Sequence, residues 1–354
     1  MSSLMDKLRK NSTLKDQSSV LSKSDVYIPE KPIDTGVPML NVALTGSLNG
    51  GLVPGFTCLA GPSKHFKTMF SLLMAASYMR KHEDAILLFY DSEMGSPEAY
   101  FKQHGIDPER VYHTVITNVE ELKFDIVNQL EGIEKDDNVI IIIDSLGNLA
   151  SKKEVEDAKD EKSVADMSRA KAMKSLFRII TPYLKRNKIP LLGINHTYDS
   201  MGLFPSKVVS GGTGIMYSAD IVFIIGRRQK KVGTEIKGYD FVINVEKSRY
   251  VKEKSLVPIT VTWEGGVYPM SGLLDVAMSG NFIFKPSKGW YQKMSPETGE
   301  ALGDKFREKD TQNVEFWQPF LSDHRFIEFV ESQYMIGKEA EEPEIAIVDE
   351  DEVM

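Results

Sequence analysis

The eight residues Gly61-Pro62-Ser63-Lys64-His65-Phe66-Lys67-Thr68 constrain this chain more than any other stretch. They follow a short apolar run, Phe56 to Ala60, and precede Met69 to Met79, which reads as a helix. A strand, a tight turn and a helix opening on Lys-Thr are the parts of a P-loop. Its backbone N–H groups, with the positive end of the helix dipole, cradle phosphate. In that geometry Lys67 reaches the β- and γ-phosphates and the Thr68 hydroxyl ligates Mg²⁺. One position departs from the GxxxxGK[ST] pattern, because Phe66 stands where the second glycine belongs. Glycine takes φ > 0 without a Cβ penalty, so Phe66 sits either in a permitted conformation or under strain. The competing reading is an ordinary strand–helix turn carrying two lysines, and the rest of the chain has to decide.

From Met39 onward apolar runs alternate with helical periodicity. The runs are Phe56–Ala60, Ala85–Tyr90, Val111–Ile116, Val139–Ile143, Pro190–Ile194, Ile221–Ile225, Phe241–Val245 and Pro258–Val261. Helices are expected over 67–81, 96–104, 119–135 and 166–187. Unbroken β-branched runs such as Val139-Ile140-Ile141-Ile142-Ile143 suit strands buried on both faces, which predicts an α/β sheet covered by helices. The last two runs have no helix between them and read as antiparallel strands added at one edge. Two stretches break the rhythm: 151–165, charged and polar, and 197–214, rich in glycine. Long loops in a compact domain are usually functional or disordered.

Charge location matters more than the net −8. Residues 339–354 carry eight acids and no base, which leaves the remainder with 43 acidic and 43 basic residues. The acidity is a tail property, read as a disordered end or as a competitor for a basic groove. Cys58 is the single cysteine, so a disulfide framework is excluded and a reducing cytoplasm is expected. No apolar leader and no run of transmembrane length is present, so no membrane partner is expected. Residues 1–30 are polar and rich in Ser and Lys, with a short amphipathic patch at Leu4, Met5 and Leu8, too little apolar surface to fold alone.

Polar residues at the carboxyl ends of the predicted strands are the chemical candidates, since ligands gather there in open α/β sheets. Asp144 ends the isoleucine run and suits the Mg²⁺-holding role beside a P-loop. Glu93, just past Ala85–Tyr90, is placed to orient and deprotonate a water attacking the γ-phosphate. Asn195 and His196 end another strand at the same rim. Lys247 and Arg249, spaced i, i+2 on an extended chain, face one way and suit a phosphate clamp, including one offered to a neighbouring subunit.

Taken in order, GPSKHFKT, LLFYDSE, NVIIIIDSLGNLASKKE, LLGINHTYDS, MYSADIVFIIG and NVEKSR resemble the RecA/Rad51 recombinase superfamily, in its T4-type bacteriophage wording, from about residue 36 to 320. The resemblance implies a RecA-type P-loop NTPase core with a mixed, mainly parallel central sheet flanked by helices, plus small N- and C-terminal parts. It implies ATP and Mg²⁺ as cofactors, held by Gly61 to Thr68 and Asp144, with Tyr100 stacking on adenine and Glu93 catalytic. His196 would couple the γ-phosphate to a DNA-binding loop, and Lys247 and Arg249 would reach the neighbour's ATP. The stretches 151–165 and 197–214 match the family's two DNA-binding loops. There Lys152, Lys153, Arg169 and Lys207 would meet phosphates, Phe204 would stack on bases, and Gly211 and Gly212 would permit close approach.

The implied organisation is a segment 1–30 docking on the next subunit, a core over 31–268, a small C-terminal domain over 269–338 and the tail. The implied activity is an ATP-dependent filament on single-stranded DNA that pairs it with double-stranded DNA and exchanges strands in the host cytoplasm. A loading mediator and a single-strand-binding protein would be partners. Two other classes share these motifs: a hexameric RecA-core helicase, and a non-catalytic DNA-binding mediator with a degenerate P-loop.

Overall fold

The β-branched runs do form the centre of the molecule. The computed structural model describes residues 2–14, 18–23, 31–160, 168–200, 207–232, 235–262 and 266–338. The chain forms two compact units, residues 1–31 and 32–354. The first unit carries α1 (Ser2–Asn11), an amphipathic helix with Leu4, Met5 and Leu8 exposed.

The second unit opens with α2 (Pro38–Thr45), β1 (Gly55–Ala60), α3 (Lys67–Lys81), β2 (Ile86–Asp91), α4 (Glu98–Gln103), β3 (Val111–Val115), α5 (Val119–Gly132) and β4 (Val139–Asp144). It continues through α6 (Lys152–Lys159), α7 (Ser168–Arg186), β5 (Pro190–Asn195), β6 (Thr197–Asp199), β7 (Lys207–Val209), α8 (Thr213–Ser218), β8 (Ile221–Val232), β9 (Glu235–Lys247), β10 (Leu256–Thr262) and β11 (Gly266–Val267). Last come α9 (Leu273–Ser279), β12 (Ile283–Ser287), β13 (Trp290–Met294), β14 (Ala301–Phe306), α10 (Val314–Leu321) and α11 (His324–Tyr334).

Among the described residues nine strands make one sheet in the order β11-β10-β9-β8-β1-β5-β4-β2-β3. The six from β8 to β3 run parallel, and β9, β10 and β11 extend the sheet antiparallel. The α/β class and the antiparallel edge therefore stand as the sequence predicts. Strand side chains alternate between faces. Ile140 and Ile142 of β4 join one apolar cluster, with α2 and α3, while Ile141 and Ile143 join the other, with α5 and α7. Phe56 of β1 stacks on Phe177 of α7 at 4.4 Å between centroids.

Several stretches differ from expectation. Lys152–Lys159 is a helix rather than loop, because Ser151 and Glu154 form a reciprocal capping box. Within 197–214, β6 and β7 pair as a hairpin and α8 follows the Gly211-Gly212 turn. The runs at 221–225 and 241–245 are the inner ends of longer strands, β8 and β9, that pair along a single arm.

Residues 270–335 add a three-stranded sheet (β12–β14) and three helices whose buried side chains belong to the same apolar cluster as α2 and α3. Trp317 is its largest wholly buried residue, ringed by Phe316, Phe320 and, through Phe320, Phe326, with its indole N–H donating to the Thr311 carbonyl at 2.9 Å. Trp317→Ala is expected to cost about 3–5 kcal/mol of stability, the range for truncating a buried tryptophan. Chemical denaturation read by circular dichroism measures it. Within the described residues no helix is long and apolar enough to cross a membrane.

Candidate functional site

The P-loop leaves β1 at its carboxyl end and enters α3. Six buried residues of β1, paired with β5 on one side and β8 on the other, fix where the loop starts. Gly61 is needed for close approach, since a Cβ there would lie 2.9 Å from the Ile225 carbonyl oxygen. Phe66 adopts φ 55°, ψ 26°, the left-handed region, as the N-cap of α3. Lys64 is left-handed too, at φ 60°. A non-glycine residue in this region costs roughly 1–2 kcal/mol. The Phe66 ring supplies an offset by packing edge-on to Phe241 at 5.5 Å and near Tyr239 at 6.5 Å. Of the two alternatives the sequence leaves open, Phe66 takes the left-handed, costlier one, and an aromatic contact opposes that cost.

Lys67 is buried, its ammonium donating to the carbonyls of Gly61 (3.0 Å) and Pro62 (2.9 Å). Burial pushes its pKa below the usual lysine range, while Glu93 and Asp144 pull it back. The Thr68 hydroxyl donates to Asp144 Oδ2 at 2.8 Å. Asp144 Oδ1 is buried and has no hydrogen-bond partner among the described residues. An orphaned carboxylate oxygen beside a hydroxyl is the donor set of a hard cation, so these residues fit Mg²⁺.

Burial, reinforced by the nearby carboxylates of Glu93 and Asp91, raises Asp144 from 3.8 to about 6, against the Thr68 hydrogen bond. A raised carboxyl pKa means the folded state holds the proton more tightly. Its stabilising contribution is therefore full below about 3.8 and lost as pH rises through about 6. Asp144→Asn mimics the protonated form, and should stabilise the ligand-free protein more at pH 7 than at pH 4, by roughly 2–3 kcal/mol. Denaturation of both proteins at the two pH values measures the difference; equal differences would contradict it.

Glu93 sits in the turn after β2. Buried Asp91 shapes that turn, its Oδ1 accepting the Glu93 and Met94 amides at 2.9 and 2.6 Å. Glu93 Oε1 accepts from the Ser145 hydroxyl (2.7 Å) and the Asn148 amide (3.0 Å), and lies 3.3 Å from His196 Nε2. His196 follows β5, and its own backbone is tied to the β6–β7 hairpin through Ser210 N–H on its carbonyl at 2.9 Å. Asn195 completes the link, its Nδ2 donating to the Ser210 carbonyl at 2.8 Å and its Oδ1 accepting the His196 amide. One chain of bonds thus runs from the P-loop rim to the hairpin.

Ser63, Lys64, His65, Phe66, Lys67, Thr68, Glu93, Tyr100, Asp144 and His196 line one cavity of about 520 Å³, together with Arg227 and Tyr239. Tyr100 presents its ring from α4, and burial raises its phenol to about 12. Gly61 and Pro62 contribute the carbonyls that hold Lys67.

Other predicted residues are elsewhere. Lys247 ends β9 opposite Val222, at the edge from which β1 and β8 start, across the sheet from the P-loop. Its ammonium donates to the carbonyls of Met216 and Ala219, both at 2.7 Å, at the end of α8. Arg249 is 65% exposed and pairs with buried Asp220 at 2.7 Å. Neither reaches the cavity of its own chain. Arg169, expected to meet DNA phosphates, instead directs its guanidinium at the carbonyls of Leu146, Gly147 and Leu149, at 2.6–3.0 Å. These three acceptors make it a clamp on the turn after Asp144. Lys152 and Lys153 are exposed on the first turn of α6. Lys207 pairs with Asp199 across the β6–β7 hairpin at 2.7 Å. Gly211 and Gly212 have φ 90° and 76°, the turn into α8. Phe204 and the acidic tail 339–354 lie outside the described residues.

Sequence reasoning missed Arg227, Tyr239, Ser145 and Asn148. The last two follow Asp144 at a strand's carboxyl end and were readable by position. Arg227 closes the apolar run of β8, the strand beside β1, which only the strand order reveals.

The RecA N-terminal domain family matches residues 10–268. The family described as the C-terminal domain of the bacteriophage T4 recombination and repair protein matches residues 270–330. The recombination and repair protein of Enterobacteria phage T4 is 50% identical over 341 residues, covering 95% of this chain and 87% of that one. Protein RecA of Arthrobacter sp. is 26% identical over 295 residues, 81% of this chain and 80% of its own. Protein RecA of Streptomyces avermitilis is 26% identical over 280 residues, 77% and 71% respectively.

Proposed function

This chain belongs to the RecA family of recombination and repair proteins, and from that premise we propose that it is a DNA-dependent ATPase acting as a filament on single-stranded DNA. The observation that carries this reading is the convergence of Lys67, the Thr68–Asp144 pair and Glu93 on one cavity at the strand carboxyl ends.

In this reading the P-loop amides and Lys67 bind the phosphates, with the Lys67 ammonium leaving the Gly61 and Pro62 carbonyls for the more negative partner. Thr68 Oγ1 and Asp144 Oδ1 would hold Mg²⁺, which supplies charge neutralisation on the phosphate oxygens when bound. Tyr100 stacks on the adenine. Glu93 orients the attacking water and takes its proton, and its bonds from Ser145 and Asn148 hold the carboxylate in place. His196 links that carboxylate to the β6–β7 hairpin, so the nucleotide state and the second DNA loop share one element.

Lys152, Lys153 and Lys207, with Phe204 and the Gly211-Gly212 turn, are proposed to meet the DNA backbone and bases. Lys247 and Arg249 face away from their own cavity and are proposed to serve the next protomer's nucleotide. The amphipathic α1 is the proposed docking segment of a head-to-tail, non-closing contact. Pairing with double-stranded DNA, a loading mediator and a single-strand-binding protein are proposed on the strength of the family, as is work in the cytoplasm, the host's if the chain is phage-encoded.

Electron microscopy with ATP and single-stranded DNA, followed by a joint-molecule assay with homologous duplex, tests the proposal. Helical filaments that form joint molecules are expected. Closed six-membered rings that unwind duplex without pairing would overturn it in favour of a helicase.

A further inference from the structure

The P-loop of this chain contains two left-handed residues that are not glycine, Lys64 at φ 60° and Phe66 at φ 55°. Such residues persist only where the surroundings over-determine them. Both are held from the same place, the antiparallel arm of β8 and β9. The Arg227 guanidinium donates to the Lys64 carbonyl at 2.8 Å and lies over the Tyr239 ring at 4.6 Å. The Phe66 ring packs on Phe241, which is opposite Arg227 in the β8–β9 register. Phe241 is itself wholly buried against Phe70 of α3, so the contact rests on a rigid base.

We propose that the β8–β9 arm is a brace for the phosphate-binding turn, with Arg227 as its positioning residue. The inference rests on the reading of the cavity as a nucleotide site and deepens it. In a P-loop with glycine at the second position, the turn is relaxed without outside help. Here the turn is strained, and Arg227 and Phe66 hold it in the phosphate-ready shape before ligand arrives. Losing Arg227 lets Lys64 and Phe66 relax, and ADP must then reorder the loop as it binds, which weakens affinity through lost preorganisation.

A brace and a direct Arg–phosphate contact make different predictions in a double-mutant cycle. A direct contact costs the same whatever stands at position 66. A brace matters less once the Phe66 share of the strain is removed, even with Lys64 still left-handed. ADP binding would be titrated calorimetrically for the full-length protein, Arg227→Ala, Phe66→Gly and the double variant, with unfolding curves to confirm that each is folded. Arg227→Ala is expected to raise the ADP dissociation constant about tenfold in the Phe66 background, the order of one charge-assisted hydrogen bond. In the Phe66→Gly background the same change is expected to cost less than about threefold. Arg227→Lys, which keeps a donor but not the stacked plane, should recover part of the loss.

No change with Arg227→Ala, or an equal cost in both backgrounds, overturns the brace while leaving the nucleotide site intact. A wild-type protein that binds no ADP overturns the site, and the brace with it.

Discussion

Lys67→Ala is expected to lower ATP turnover roughly 10³-fold, the scale for removing one preorganised charge from a transition state. The lysine is buried and already desolvated, its ammonium held by two P-loop carbonyls at about hydrogen-bond length, 3.0 and 2.9 Å. Desolvation strengthens its interaction with a developing phosphate charge, and no solvent reorganisation is needed when the charge forms. Alanine leaves the Gly61 and Pro62 carbonyls facing the phosphates with nothing to screen them. Steady-state hydrolysis at saturating single-stranded DNA is the measurement. A variant turning over at the wild-type rate would remove the P-loop from the chemistry.

The second large effect belongs to Glu93. Glu93→Gln should reduce the hydrolytic step roughly 10²- to 10⁴-fold, the range for a general base, while ATP binding stays within about threefold of wild type. Glutamine keeps an oxygen able to accept from Ser145 and Asn148, so the turn shaped by Asp91 survives and only the basicity is lost. Single-turnover hydrolysis combined with ADP titration separates the two quantities. Equal losses in binding and hydrolysis would instead assign Glu93 to holding the nucleotide.

How much of this was legible in the sequence depends on the range of the interactions. Strand and helix positions in the core follow from local pattern: the isoleucine run of β4 alternates between two apolar clusters, as period-two burial requires. Residues at strand carboxyl ends were readable as a set, because parallel strands bring their ends to one rim. Asp144, Glu93 and His196 meet there. What the sequence hid is register and long-range pairing. Arg227 belongs to the cavity only because β8 lies beside β1, an order set by a crossover of more than a hundred residues. Arg169 reads from the sequence as a DNA-phosphate contact, since nothing local reveals its three carbonyl partners in the turn after β4. The helix at Lys152–Lys159 was readable and overlooked: the Ser-x-x-Glu cap outweighs the polar character of the stretch.

Phe66 joins the two cases. Its departure from glycine was evident in the sequence, and so was the question of strain. The answer depended on Phe241, 175 positions downstream, arriving under its ring. Phe66 takes the left-handed conformation without glycine's backbone freedom, and its ring packs on Phe241.

One cavity is expected to hydrolyse ATP under control of bound DNA. The most direct test is ATP hydrolysis by the purified protein with and without single-stranded DNA, across a series of salt concentrations. Turnover is expected to rise strongly with DNA and to lose that stimulation as salt displaces the phosphate contacts. Turnover indifferent to DNA at every salt, or absent altogether, would contradict it.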